Sequence, residues 1–415
     1  MPQAPLLSDM QQSMLAHEAL TDRPIYNMPL CFRLCGDVDA ELLDRALGFV
    51  IRRHPVLSAR YDVDVALPVA VPDPPRILRT VGTPAGVDTI AELAAELWQQ
   101  PFDLPTELPV RASLWSGATG EHFLGLCVHH VAGDSWSLAL LLRELGNAYG
   151  ALRRGVEPDA PPAEDFFAYA AREQSSAPDL SWWSRKLSGR CPQPYPREAE
   201  PDTAEPAALS SLDLGLDAAA TRGIRKLART ARVSPTVVLF TAVSLTVATP
   251  AAGGQASLLG LPVVLRDDAG LQNTLGPLLN TVPVATSWTG GVDTLGLVRL
   301  HADAVDSAVA HKDVPLSWIL RAAAVPRLPG TAGLFLHVVN VDTERPRLVL
   351  AGAHSTSIRV PLRWAQVPAC WEFGWSTVGN VAGALNVSAD AFTTDQARGL
   401  VTGFRSALAG LLANQ

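Results

Sequence analysis

HFLGLCVHHVAGDSWSLALLLRELGNAYGALRRG, residues 122–155, changes its hydrophobic period at the centre. From Phe123 to Val128 the run is nearly continuous in apolar residues, the pattern of a strand covered on both faces and therefore central in its sheet. From Asp134 onward Leu138, Leu141, Leu142, Leu145 and Tyr149 recur at helical spacing, which makes one apolar stripe. His129-His130-Val131-Ala132-Gly133-Asp134 thus lies at a strand-to-helix junction, where polar side chains can be held firmly and still reach a cleft. Neighbouring residues at a strand end point to opposite faces, so one histidine can face the cleft while the other serves the scaffold. An imidazole can accept or relay a proton near neutrality, and an acid four residues on can fix the loop or a cation beside it. One ion cannot be chelated by side chains on opposite faces, and the other histidines show no ligand spacing, so no metal is expected.

Outward from this junction the same periods continue. Residues 38–54 form an amphipathic helix with Leu42, Leu43, Ala46, Leu47 and Val50 on one face. A short strand follows from Val56, a second helical pattern covers 90–99, and PVRASLW is a strand before the central one. Prolines and charges crowd together at 156–165 and again at 190–209, a boundary signal. Beyond it SSLDLGL, SLLGLPVVL, GLFLHVVNV, CWEFGWSTV and GALNVSA are strands, interleaved with helices that include one opened by Ser234 and Pro235. At 415 residues the chain exceeds the size at which one core stops growing, so two α/β domains are expected.

Composition narrows the function. Hydrophobic residues at 48% and charged residues at 18% supply substantial cores and too little charge for general disorder. The net charge of -8, without a long basic run, excludes a nucleic-acid footprint. It also gives no general attraction for an acidic partner, so docking of one would need a local basic patch. Five scattered cysteines do not make a disulfide framework and fit a reducing cytosol. MPQAPLLSDM has no signal-peptide pattern, and no uncharged apolar stretch is long enough to span a bilayer. A cytoplasmic protein without membrane contact is expected.

HHVAGDSW at 129–136 is similar to the HHxxxDG motif of the condensation domains of nonribosomal peptide synthetases, within the chloramphenicol acetyltransferase-like superfamily. Further segments resemble that family in its order. They include LSDMQQSML at 7–15, YNMPLCFRLCG at 26–36, VDAELLDRAL at 38–47, RRHPVL at 52–57 and PFDLPTELPVRASL at 101–114. FFAYAAREQ at 166–174, LSWWSRKLSG at 180–189, LGPLLNTVPV at 275–284 and HKDVPLSWIL at 311–320 continue it. The resemblance spans essentially the whole chain.

The resemblance implies two acyltransferase-like lobes, 1–178 and 179–415, in a V around a central channel, with a segment of the second crossing to the first. It implies condensation of a carrier-bound acyl or aminoacyl thioester with an amine, or less readily a hydroxyl. His130 would be catalytic, either moving the nucleophile's proton or orienting the nucleophile and stabilising the tetrahedral intermediate. No cofactor is bound by the chain itself; the phosphopantetheine arm belongs to an acyl or peptidyl carrier protein. Lacking adenylation and carrier segments, the protein would act in trans. His129, Asp134, Ser135, Arg60 and Trp136 would support the site, with Asn280, Trp364, Trp371 and Trp375 as candidate channel or substrate contacts.

Two departures from the family pattern matter. The arginine expected to pair with Asp134 is replaced by Ser58, so Arg60, two residues along the same strand face, is expected to substitute, with Arg111 as the other candidate. Ser135 stands where the motif has glycine, and its CH2OH group could narrow the channel, force a backbone adjustment or donate a hydrogen bond. Relatives with altered motifs include domains that recruit enzymes, so recruitment of a carrier or tailoring enzyme without chemistry is the alternative.

Overall fold

The computed structural model describes residues 5–21, 23–62, 67–82, 90, 92, 94–95, 99–116, 120–190, 193, 195–196, 209–251, 253–326, 334–342, 346–360, 362–376 and 379–413. The helix expected at 90–99 and the boundary at 190–209 lie largely outside these residues. In chain order the first elements are α1 (Asp9–Thr21), β1 (Asn27–Gly36), α2 (Ala40–Arg53), β2 (Ala59–Asp62), β3 (Leu67–Ala70) and β4 (Leu78–Val81). Then come β5 (Val110–Ser116), β6 (Glu121–His129), α3 (Ser135–Arg153), α4 (Phe166–Ser175) and α5 (Ser181–Lys186). These are followed by β7 (Leu209–Asp213), α6 (Ala218–Ala231), α7 (Pro235–Thr246), β8 (Thr249–Ala251), β9 (Gly254–Val264) and β10 (Leu279–Thr289). The last are α8 (Thr294–Val309), α9 (Leu316–Ala322), β11 (His337–Asp342), β12 (Ala353–Ile358), β13 (Ala369–Trp375), β14 (Val381–Ser388) and α10 (Thr394–Ala413).

The chain divides into two compact units. The first comprises Met1–Ala177 with two later excursions, Arg266–Leu279 and Arg345–Arg363. Its main sheet has the order β12-β1-β6-β5-β4, placing β6 in the middle. β6 reads as continuously apolar because both faces are covered: Leu124, Leu126 and Val128 enter the core with α2 and α3, while Phe123 and Cys127 enter a smaller cluster with Cys31 and Trp115. α2 starts where the Asp39 carboxylate accepts from the N–H groups of Glu41 and Leu42, which satisfies donors left over by the first turn. Its buried Leu43, Ala46, Leu47 and Val50 face α3, and each fully buried leucine contributes roughly 1.5–3 kcal/mol. Tyr149, near the end of α3, accepts from the Asp39 N–H through its hydroxyl at 2.9 Å and so ties the two helices together.

The second unit comprises Pro178–Leu265, Asn280–Glu344 and Trp364–Gln415. Its sheet runs β10-β9-β11-β13-β14-β7, with β8 added on β9. β11 is parallel to both its neighbours, and the β13–β14 and β14–β7 pairs are antiparallel. Ser234 caps α7 and Pro235 occupies its first turn, as the sequence pattern predicts. Trp371 and Phe373 of β13 pack on Phe404 of α10 with ring centroids 5.6 and 5.7 Å apart. Within this core the Trp371 indole N–H donates to Nδ1 of His337 at 3.3 Å. Burial pushes that histidine down to about 4. Among the described residues no helix is long and apolar enough to cross a membrane, and no group of three His, Cys, Asp or Glu side chains could hold a metal ion.

Candidate active site on the strand–turn–helix of the first unit

β6 ends at His129, a single 3-10 turn covers His130–Ala132, and α3 begins at Ser135 with Asp134 as its cap. The two histidines have separate environments. His129 is fully buried, its Nε2–H donating to Glu18 of α1 at 2.7 Å and its Nδ1 accepting from the Val131 N–H at 3.1 Å. That pair of bonds requires the Nε2–H tautomer and leaves no ring atom for substrate. Gln11, also on α1, donates to the Val131 carbonyl at 2.8 Å and takes the Ser8 N–H on its own oxygen. α1 therefore holds the turn at both ends. Glu18→Ala, which strips the partner from a buried N–H, is expected to lower unfolding free energy by about 1–3 kcal/mol. Glu18→Gln, which retains an acceptor, should lose less; denaturant titration of the two variants checks the order.

His130 donates its backbone N–H to the Tyr26 carbonyl at 2.8 Å, and its ring meets the Tyr26 ring edge-on with centroids 6.1 Å apart. The ring is partly exposed, and of its two nitrogens only Nδ1 is both sealed from solvent and without a hydrogen bond among the described residues. Nε2 is thus the nitrogen available to a ligand. Burial pushes the imidazole below its ordinary value, opposed by the Asp134 carboxylate and the backbone carbonyls of His130 and Gly133. The neutral ring, able to accept a proton, is favoured at neutral pH.

Asp134 does not pair with Arg60 or Arg111. Its guanidinium partner is Arg266, whose Nη2 donates to the two carboxylate oxygens at 2.9 and 3.0 Å. The same Nη2 also donates to the Ser137 hydroxyl and the Gly276 carbonyl, while Nη1 donates to the carbonyls of Leu271 and Thr274. Ser137 in turn donates its N–H to Asp134 at 2.7 Å and accepts the Gly276 N–H at 3.1 Å. Position 276 must be glycine: its φ is +149° and a Cβ there would fall 1.9 Å from the Phe166 ring. Arg60 does not serve as the partner: among the described residues β2 pairs only with β3, outside the main sheet, and the Arg60 Nε is buried without a hydrogen bond. Arg111 is spent on Glu107, at 2.6 Å, and on the carbonyls of Gln100 and Pro101.

Ser135 is exposed and occupies the first position of α3 with an ordinary backbone, since the positive-φ residues other than glycine among those described are Arg232 and Ala324. The serine needs no backbone adjustment. Trp136 is 46% exposed, donates its indole N–H to the Gln272 carbonyl at 3.1 Å, and lies under the Arg266 guanidinium at 5.8 Å.

The remaining candidates belong to the second unit. Trp371 has no exposed surface and fills the core on Phe404, so it is not a channel residue. Asn280 is not free for substrate. Its amide N–H groups donate to the carbonyls of Lys312 and Val314, and its oxygen accepts from Thr281 and Leu316, which commits the side chain to the segment 312–316. Trp375 ends β13, half-buried, with Arg225 over its ring at 5.2 Å, and Trp364 is half-buried ahead of β13.

A family model described as the condensation domain matches residues 3–351. The chain belongs to the condensation domain family. Residues aligned with the probable non-canonical nonribosomal peptide synthetase CymA of Salinispora arenicola are 30% identical over 352 positions, 80% of this chain and 4% of that protein. The chain spans between 2% and 16% of the length of the curated relatives it matches. Among solved structures, the X-domain in complex with OxyB from teicoplanin biosynthesis superposes with a TM-score of 0.85 at 23% identity, covering 100% of this chain and 94% of that one. The first condensation domain of the calcium-dependent antibiotic synthetase gives 0.77 at 20% identity, covering 99% and 96%. The two-lobed α/β fold of the family is therefore the fold of this chain.

In this condensation domain the histidine motif rests on four residues that sequence patterns do not single out as site residues: Gln11, Glu18, Ser137 and Arg266. Gln11 and Glu18 lie seven positions apart, two helical turns, so they share a face of α1. That spacing is the one local signal that could have found Glu18. Arg266 lies 132 residues from Asp134, in a stretch, LRDDAG, that looks like a solvated charge cluster.

Proposed function

We propose that this condensation domain joins a carrier-bound acyl or aminoacyl thioester to an amine, in preference to a hydroxyl, with His130 at the reacting centre. The observation that carries this reading is the division of labour between the histidines: His129 is used up by Glu18 and Val131, whereas His130 keeps Nε2 open and its ring neutral. The amine nitrogen attacks the thioester carbonyl carbon, forming the C–N bond. Collapse of the tetrahedral intermediate breaks the C–S bond and releases the phosphopantetheine thiol on the carrier. The proton lost by the amine ends on the sulfur. His130 Nε2 either carries that proton or accepts a hydrogen bond from the nucleophile and orients it. The Asp134–Arg266 pair takes no proton in this scheme and holds the turn that carries His130. In this reading the donor arm is substrate, supplied by an acyl or peptidyl carrier protein, and the chain itself needs no bound cofactor.

Reconstitution tests it. Holo carrier loaded with acyl and aminoacyl groups is mixed with the protein and a panel of amines and alcohols, and products are followed by mass spectrometry. Amide formation with release of carrier thiol is expected. Failure of transfer across the panel, with carrier bound, would instead support recruitment without chemistry, the kind of use suggested by the teicoplanin X-domain solved with OxyB.

A further inference from the structure

α6 of the second unit is cationic along its whole exposed side. Between residues 218 and 232 the chain carries Arg222, Arg225, Lys226, Arg229 and Arg232, without an acidic residue, in a protein whose net charge is -8. Ile224, Leu227, Ala228 and Ala231 face the core, and the five cations are exposed. Arg222, Lys226 and Arg229 stand at i, i+4 and i+7, one stripe of the helix.

The ordinary reasons for placing cations on a helix do not cover this one. Attraction to the helix dipole favours positive charge only in the last turn, which accounts for Arg229 and Arg232 and not for Arg222 or Arg225. Ion pairing does not account for them either. Among the described residues, Arg222, Lys226, Arg229 and Arg232 make no salt bridge, and their side chains make no hydrogen bond. Arg225 donates to the Gly379 carbonyl and lies over Trp375. Asp217 is occupied in capping the helix through the Ala220 N–H. Asp303 and Asp306, which line a shallow hollow with Arg232 and Arg299, form no ion pair with them. Like charges at i, i+4, here Arg222 with Lys226 and Arg225 with Arg229, destabilise an isolated helix by about 0.2–0.5 kcal/mol per pair. The face thus carries repulsion that no described residue of the second unit offsets.

We infer that this face of α6 docks an acidic helix of the carrier protein, through Arg222, Lys226 and Arg229. The inference deepens the condensation reading and rests on it for the identity of the partner. An acidic protein surface fits better than a polyanion. The overall negative charge of the chain repels extended nucleic acid or an anionic membrane at long range, while a compact acidic patch meets only the local field of the helix. Charge complementarity of this kind acts mainly on encounter and is salt-sensitive.

The test compares wild type with the Arg222→Glu/Lys226→Glu/Arg229→Glu variant, all three substitutions being at exposed positions. Circular dichroism and thermal unfolding verify that the variant is folded. Affinity is measured by fluorescence anisotropy with the labelled holo carrier used in the reconstitution, at low and high salt. The wild-type dissociation constant should rise steeply with salt, and the variant should bind at least about tenfold more weakly at low salt with little salt dependence. Equal affinity of the two proteins, or absence of carrier binding by wild type, would overturn the inference. Duplex DNA and phosphatidylserine vesicles are run in parallel; tighter wild-type binding to either, lost in the variant, would overturn it in favour of that partner. Turnover of a carrier-free N-acetylcysteamine thioester by wild type reports separately on whether condensation occurs, so failure of docking and failure of the functional reading are distinguishable.

Discussion

Replacing Arg266 by alanine is expected to lower the unfolding free energy of the protein by about 3–5 kcal/mol, the cost of stranding a buried charge whose partner is removed. Arg266 and Asp134 are each about 5% exposed. In the variant Asp134 keeps only the Ser137 bonds, and the carbonyls of Leu271, Thr274 and Gly276 lose a donor each. Those carbonyls shape the excursion 266–279, so the loss reaches beyond one ion pair and into the start of α3. Arg266→Lys should recover little, because one ammonium cannot span acceptors that two nitrogens of a planar guanidinium now serve. The double variant Asp134→Ala/Arg266→Ala should be less destabilised than the sum of the two single changes, because no buried charge is left behind. Denaturant unfolding of the wild type and the four variants checks both statements. Additive losses would mean that the two side chains act independently.

Substituting His130 by alanine should lower the single-turnover transfer rate by about 10²–10⁴-fold, the range supplied by one positioned acid–base group. The loss belongs in the chemical step. His130 contributes one partly exposed ring at the end of β6, so carrier affinity should stay within about twofold, a change of less than 0.5 kcal/mol. His130→Gln separates the two roles left open for the ring. The amide oxygen can accept a hydrogen bond from the nucleophile but takes no proton at neutral pH. A glutamine variant close to wild type would assign orientation to His130; one as slow as alanine would assign proton transfer. His129→Ala is a poor substitute for this test, since it removes the partner of Glu18 and of the Val131 N–H.

The parts of the molecule that could be read from sequence are those whose signal is local. The change of period around HHVAGD identifies β6 and α3, and Ser234 with Pro235 marks the start of α7 to the residue, because helix caps and strand burial are written within a few positions. For Trp371 the signal is not local: a large aromatic residue can line a channel or fill an interior, and only the packing of α10 shows that the odd positions of β13 face the core. The partner of Asp134 depends on where the chain places residue 266, 132 positions further on, and strand spacing near Arg60 carries no information about that. Asn280 shows the same limit, since three of its four backbone bonds reach residues more than thirty positions away.

Neutral His130, if it stands at the proposed reacting centre, has one direct signature, the pH profile of the single-turnover rate with loaded carrier and saturating amine. Burial holds the ring below its ordinary value, so the proton-accepting form persists on acidification until the pH falls through that lowered value. The acid limb assigned to this group should therefore have its midpoint below about 6.5 and be absent from the residual rate of His130→Ala. A limb centred at or above that value, or one that survives the substitution unchanged, would contradict the assignment of His130 as the group that meets the nucleophile.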